Sequence, residues 1–458
     1  MKRIAVALAL VAVGLVTAPS GAHAAVHTVR VEDNAFTPAA LDVAPGDTVT
    51  WTAMRGGHTI TADDGRFDFP SDGLTQVGDQ FSWQFDDDEL VRYYCRIHGG
   101  PGGQGMAGVL RVGDPPTRPP SAPKATIIVP DESATIADGV AAAEPGTDVL
   151  VRPGVYGEEI VADVPGVTIR GLGAHAGDVV LHGNDHLEVG VRVAARNVRI
   201  ENLTVARYRT AGVEIAAATG TVVRGVELRE NGLRGIHAVA PAGLTIQESH
   251  LAGHGIAGVD VRDCDSCGTL IDASQLERNA AGAVFVDAAG VVVRDSSIDG
   301  NAVGIVLRSV TGAHVTGNTL TDNAATDVWV ASAAEESAPP TGAGIWMLGG
   351  RSNLIASNVM SGHTYNVAVT GPPAAIGHRI THNVASDAAH ADLGWDGIGV
   401  GVCFDDNRGP DGGPATTDPP AIAWRDCTAA PAALGAPYPV VTARLLGHAA
   451  ARRGTSAA

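Results

Sequence analysis

Gly212-Val-Glu-Ile-Ala216, Gly235-Ile-His-Ala-Val239 and Gly258-Val-Asp-Val-Arg262 share one pattern: a glycine, an aliphatic residue, a variable one, then an aliphatic one. The pattern also starts at Gly190, Gly282 and Gly304, so it returns every 22 to 24 residues. A second, offset run keeps step with it as Val198-Arg-Ile200, Val222-Val223, Leu244-Thr-Ile246, Leu270-Ile271, Val291-Val-Val293, His314-Val315, Leu354-Ile355 and His378-Arg-Ile380. A fixed period of this size means one structural unit per period. Each unit is too thin to bury its own apolar face, whereas a stack makes a continuous aliphatic core with strands ~4.8 Å apart. The 40-residue step from Val315 to Ile355 holds Ala331–Thr341, a polar, proline-containing insertion between coils. The expected fold is all-β, built of stacked coils.

Working outward, residues 125–158 read strand, short helix, strand: Thr126–Val129, Ile136–Ala143 and Asp148–Val151. The string Glu144-Pro-Gly-Thr-Asp-Val-Leu-Val-Arg-Pro-Gly-Val-Tyr156 resembles the N-terminal cap that opens many right-handed parallel β-helices. A β-helix domain is therefore expected over residues 125–428, with a C-terminal tail over 429–458. Cys403 and Cys427 bracket a Pro/Gly-rich loop and read as a disulfide closing the last coils. Cys264-Asp-Ser-Cys267 reads as a turn disulfide first, and as a redox pair or metal clip second.

Residues 25–113, ahead of a proline-rich spacer at 114–124, differ in pattern. Short alternating runs at Val26–Val31, Leu41–Val43, Thr48–Trp51, Gln80–Phe85, Val91–Tyr94 and Gly108–Val112 are separated by Gly and Pro turns. That spacing predicts a sandwich or small barrel. The loop Cys95-Arg-Ile-His98-Gly-Gly-Pro-Gly-Gly-Gln-Gly-Met106 carries a thiolate, an imidazole and a thioether, donors suited to copper in both oxidation states. His58, in Gly56-Gly57-His58-Thr59-Ile60, is the obvious second imidazole. Zinc also accepts Cys and His, but a thioether argues against it.

Phe36-Thr-Pro38, Pro45-Gly-Asp-Thr-Val-Thr-Trp51, His58-Thr59, Asp64-Gly-Arg-Phe-Asp68, Tyr94-Cys95-x-x-His98 and Met106-x-Gly108-x-x-x-Val112 together resemble the plastocyanin/azurin group of cupredoxins. The resemblance implies one type 1 copper held by His58, Cys95 and His98 with Met106 axial, inside a β-sandwich. Seven residues separate His98 from Met106, more than in plastocyanins. This insert either loops outward, leaving Met106 axial, or offers the Gln104 oxygen instead.

Composition fixes the setting. Fifty Asp and Glu against 31 Lys and Arg, a net charge of −19, argue against nucleic acid and anionic membrane surfaces as partners. Aromatics are only 4%, as expected for small aliphatic residues packed in repeating turns. Met1-Lys-Arg, the apolar run Ile4–Val16 and Ala22-His-Ala24 form a secretory signal over residues 1–24. No other stretch approaches a membrane span. Export to a periplasm, cell wall or the medium permits disulfides. Five cysteines then leave one odd thiol, and copper ligation employs it at Cys95.

On the coils, Gly253-His254-Gly255 invites comparison with polygalacturonase-like hydrolases. The repeat register, however, aligns His254 with Asn231, Asn279, Asn301 and Asn323, and the paired aspartates are missing. His254 is read as a turn residue, at a position where side chains bond locally and tolerate left-handed backbone. Two residues after successive glycines come Arg192, Glu214, His237 and Asp260, then Val284 and Val306. Alternation stacks the four polar groups on an outer face, with two carboxylates flanking His237 and raising its pKa. They read first as a ladder of exposed ion pairs and second as a substrate or metal contact.

Three functions fit. The first is an exported copper protein that transfers electrons to a redox partner, with the β-helix as a binding or docking body. The second is copper handling for an exported metalloenzyme, because the coil also resembles the exported β-helix protein of nitrous-oxide reductase maturation. The third is a carbohydrate-binding lyase, hydrolase or epimerase carrying a copper redox module.

Overall fold

In the computed structural model, the described residues are 25–113 and 125–420, apart from 33–34, 56, 64–65, 75, 87–88, 101–103, 266 and 326–341, together with Cys427. The expected export signal, the spacer and the tail lie outside the described residues. The chain divides near residue 119 into two compact units.

The first unit holds strands β1 (Val26–Glu32), β2 (Ala35–Thr37), β3 (Ala40–Val43), β4 (Asp47–Ala53), β5 (His58–Ala62), β6 (Asp68–Leu74), β7 (Gln80–Phe85), β8 (Glu89–Gly100) and β9 (Gln104–Val112). They form two sheets, β2-β1-β4-β7 and β3-β9-β8-β5-β6, which make a β-sandwich. Alternation explains the core: Val29, Val31, Val49, Trp51, Ala53, Val91, Tyr93, Cys95, Leu110 and Val112 are buried at every second position of their strands. Tyr93 packs edge-on against Trp51 and Phe36, at centroid distances of 5.3 and 4.8 Å.

The second unit opens with strand Thr126–Val129 and helix α1 (Ile136–Ala141). Thr135 caps α1 by accepting the Asp138 N–H at 3.0 Å, and the Glu158 carboxylate accepts the N–H groups of Ile136 and Ala137. These bonds satisfy donors that a helix start leaves free. Counting that first strand, the chain winds through three parallel sheets of 12, 10 and 11 strands among the described residues. Valine, isoleucine and leucine from all three fill one continuous core. Across the insertion Val315 pairs with Ile355, Leu320 with Met360 and Ile305 with Ile345, so the coils continue in register. Cys264 is bonded to Cys267, and Cys403 to Cys427.

The asparagine turns differ from the expectation. Asn231, His254, Asn279, Asn301 and Asn323 are buried inside the stack. The left-handed backbone belongs to the residue before each: Glu230, Gly253, Arg278, Gly300 and Asp322. That kink turns the following side chain inward, where the Asn oxygens of Asn279, Asn301 and Asn323 accept the backbone N–H of the equivalent residue one coil earlier. His254 does the same through Nδ1 for Asn231, while its Nε2 donates to the Leu228 carbonyl. A second ladder runs through Ser249, Ser274, Ser296, Asn318, Asn358, Asn383 and Asn407. Buried turn amides cannot reach water, so the ladders satisfy them.

Candidate metal centre and coil face

In the first unit, β5 delivers His58 and the end of β8 delivers Cys95 and His98. The Sγ of Cys95 lies 3.9 Å from the Nδ1 of His58 and 3.5 Å from the Nδ1 of His98. All three donor atoms lie within 4.8 Å of one another. Cys95 is a free thiol, fully buried, and His58 is 3% exposed, while His98 is exposed. Thiolate and imidazole donors on one first-row ion stand about 3.5–3.8 Å apart at ordinary bond lengths. The His98 spacing falls in that range and the His58 spacing lies 0.1 Å beyond it, and the donor set fits copper. Met106 is buried on β9, beside β8.

The glycine-rich insert lengthens the β8–β9 hairpin, pairing Gly99 with Gly105 and Gly100 with Gln104 beyond a register shift. The Gln104 side chain lies outside the described residues. Gly105 has φ +62°, and a Cβ there would collide with the His98 carbonyl.

Around the donors lies a set of contacts that sequence reading missed. The backbone N–H of Thr59 donates to Cys95 Sγ at 3.4 Å, and its hydroxyl accepts the Arg96 N–H at 2.9 Å. Arg96 pairs with Asp68 at 3.3 Å, and Asp68 also accepts the Thr61 hydroxyl at 2.5 Å. Thr59 and Thr61 sit on the same face of β5. That alternation after His58 was the available signal.

On the coil, Arg192, Glu214, His237 and Asp260 occupy one column of the third sheet, each paired in register with the next. Arg192 Nε donates to Glu214 at 3.1 Å, an exposed pair. The rest differs from an exposed ladder. Asp260 is fully buried, because Arg234 Nε donates to its Oδ2 at 2.6 Å and Arg262 Nε to its Oδ1 at 2.8 Å. The pKa of half-buried His237 is lowered, not raised: burial is the first cause and the Arg234 charge the second, outweighing Asp260 and Glu214. The two arginines stand outside the column that was read. Their own columns revealed them: Arg234 lies between Ala211 and Ala257, and Arg262 between Val239 and Val286. From Val284 on, the face is apolar and buried, with Val306, Tyr365 and Ala368.

Comparison with known proteins agrees with this division. Residues 189–360 match the family model described as a right handed beta helix region. The N-terminal segment is similar to a halocyanin of Natronomonas pharaonis, 38% identical over 81 residues, 17% of this chain and 48% of that protein. The chain thus spans about half the length of the curated relative it matches. Among solved structures, an alginate lyase from Paenibacillus sp. str. FPU-7 is 17% identical, covering 60% of this chain and 98% of its own, with a TM-score of 0.44. A purple cupredoxin from Nitrosopumilus maritimus is 24% identical, covering 19% of this chain and 99% of its own, with a TM-score of 0.16. The chain joins a cupredoxin-like segment to a right-handed β-helix.

Proposed function

We propose that this is an exported type 1 copper protein that carries single electrons, with its β-helix serving to bind or dock a partner. The observation that carries the reading is the convergence of the His58, Cys95 and His98 donor atoms within 4.8 Å of one another on the sandwich. Copper bound there supplies a one-electron Cu(I)/Cu(II) couple. The chain's part is to hold the donors still. His58 and Cys95 are buried on strands, Thr59 ties those strands together, and the Cys95 sulfur receives a hydrogen bond. Exposed His98 gives a redox partner protein an edge to approach. Two disulfides and the leader-like residues 1–24 support export. Among the described residues, no helix is long and apolar enough to cross a membrane.

Voltammetry of the copper-loaded full chain tests the electron-carrier role. One reversible one-electron wave is expected. An irreversible response, with ready loss of Cu(I) to a chelator, would favour copper handling instead.

A further inference from the structure

We infer that export itself builds a second metal site at the start of the sandwich, a square-planar Cu(II) site at residues 25–27. Its donors are the α-amine of Ala25, the imidazole of His27 and the amide nitrogens of Val26 and His27. The inference rests on the export proposed above and is independent of the electron-carrier role. Ala22-His-Ala24 marks the cut after residue 24. Hydrolysis of the Ala24–Ala25 bond by an export peptidase adds one water, leaving a carboxylate on Ala24 and an amine on Ala25. In the peptide bond the Ala25 nitrogen shares its lone pair with the carbonyl; the free amine offers that pair to a metal. The site therefore arises only after the leader is removed, in the compartment that receives the chain.

The cut chain begins Ala25-Val-His27. An amine with an imidazole two residues further on closes fused chelate rings around one ion, through the intervening amides and the ring Nδ1. Cu(II) and Ni(II) favour such a plane of nitrogens, and the amides give up their protons on binding. The fold already gathers both ends of the chelate on one carboxylate. Asp47 Oδ1 accepts the Ala25 N–H at 2.7 Å, and Asp47 Oδ2 meets His27 Nε2 at 2.8 Å. Oδ2 also accepts the Ala44 N–H at 2.9 Å, so the carboxylate is the acceptor and Nε2 the donor. In a neutral ring that leaves the lone pair on Nδ1, the nitrogen the chelate needs. A metal-bound amine still carries hydrogens, so Asp47 can hold both ends before and after the ion arrives. Solvent reaches the place: Val26 is 71% exposed and the His27 side chain 29%. Pairing of β1 with β4 begins there, Val26 opposite Thr48, so the chelate displaces only the end of a strand.

The exported chain, its first residue read by mass spectrometry, is compared with a chain carrying Gly-Ser ahead of Ala25 and with His27→Ala. Each is titrated with Cu(II) and dialysed, the copper per chain is counted, and the paramagnetic resonance spectrum is recorded. The chain beginning at Ala25 is expected to hold one copper more than either comparison. That copper should show nitrogen hyperfine lines and add nothing to the thiolate charge-transfer band. The Gly-Ser extension turns the Ala25 amine back into an amide and leaves every side chain in place, so it serves should His27→Ala fail to fold. Equal copper in the three chains, or an extra copper that survives either change, overturns the inference. A chain cut at Ala25 that holds no extra copper refutes the site and leaves the export reading standing. A chain that is never cut refutes the export reading, and the site with it.

Discussion

The backbone N–H of Thr59 donates to the sulfur of Cys95 at 3.4 Å, across 36 residues of sequence. The same residue's hydroxyl accepts the Arg96 N–H, so one threonine clasps both sides of the donor cluster. Thr59→Val keeps the branched shape and the N–H···S bond but removes the hydroxyl that accepts the Arg96 N–H. The expected cost is about 1–2 kcal/mol. It should appear as a lower urea midpoint for loss of the copper absorbance, with little change in the spectrum. An unchanged midpoint would show that the clasp contributes nothing.

Gly105 sits at φ +62° against the His98 carbonyl. Gly105→Ala should therefore strain the hairpin by about 1–2 kcal/mol and displace β9, which carries Met106. Electron paramagnetic resonance of the Cu(II) form should show altered hyperfine splitting. A spectrum superimposable on the parent's would mean that the collision relaxes away from the donors.

Asp260→Ala removes the buried carboxylate that both Arg234 and Arg262 contact, and a loss of about 3 kcal/mol is expected. Glu214→Ala breaks only an exposed pair with Arg192 and should cost less than about 1 kcal/mol. Denaturation of the two variants compares them directly. Similar losses would contradict the burial contrast within one column.

The buried ladders make the coil sensitive to acid. His254, His363 and His378 are held down to about 4, chiefly by burial. His254 and His378 each accept a backbone N–H at Nδ1, which protonation would abolish. An unfolded imidazole takes its proton near 6.5. Between the two values the unfolded state binds more protons, so stability is complete above about 6.5 and falls as pH drops toward 4. Each group contributes up to about 3 kcal/mol to that loss. His254→Asn restores the usual ladder residue and should flatten the pH dependence of the denaturation midpoint between 7 and 4.5. An equally steep dependence would show that His254 titrates normally.

The coil was legible because its glycine and aliphatic periods are local and repeated. The grouping of His58 with Cys95 and His98 was legible because Cys95 and His98 share one loop and His58 follows a glycine pair. Inward asparagines were misplaced because a repeat marks a turn without telling which of two adjacent residues takes the left-handed backbone. His237 was misjudged because counting along one column ignores Arg234 and Arg262 in the flanking ones. Such cross-column contacts depend on strand registry between coils, which neither arginine announces in sequence.

The absorption spectrum of the full chain loaded with Cu(II) tests the copper site most directly. The arrangement of Cys95 with His58 and His98 predicts an intense blue band from thiolate-to-copper charge transfer, absent in Cys95→Ser. A colourless complex, or a blue one that persists without the Cys95 sulfur, would contradict it.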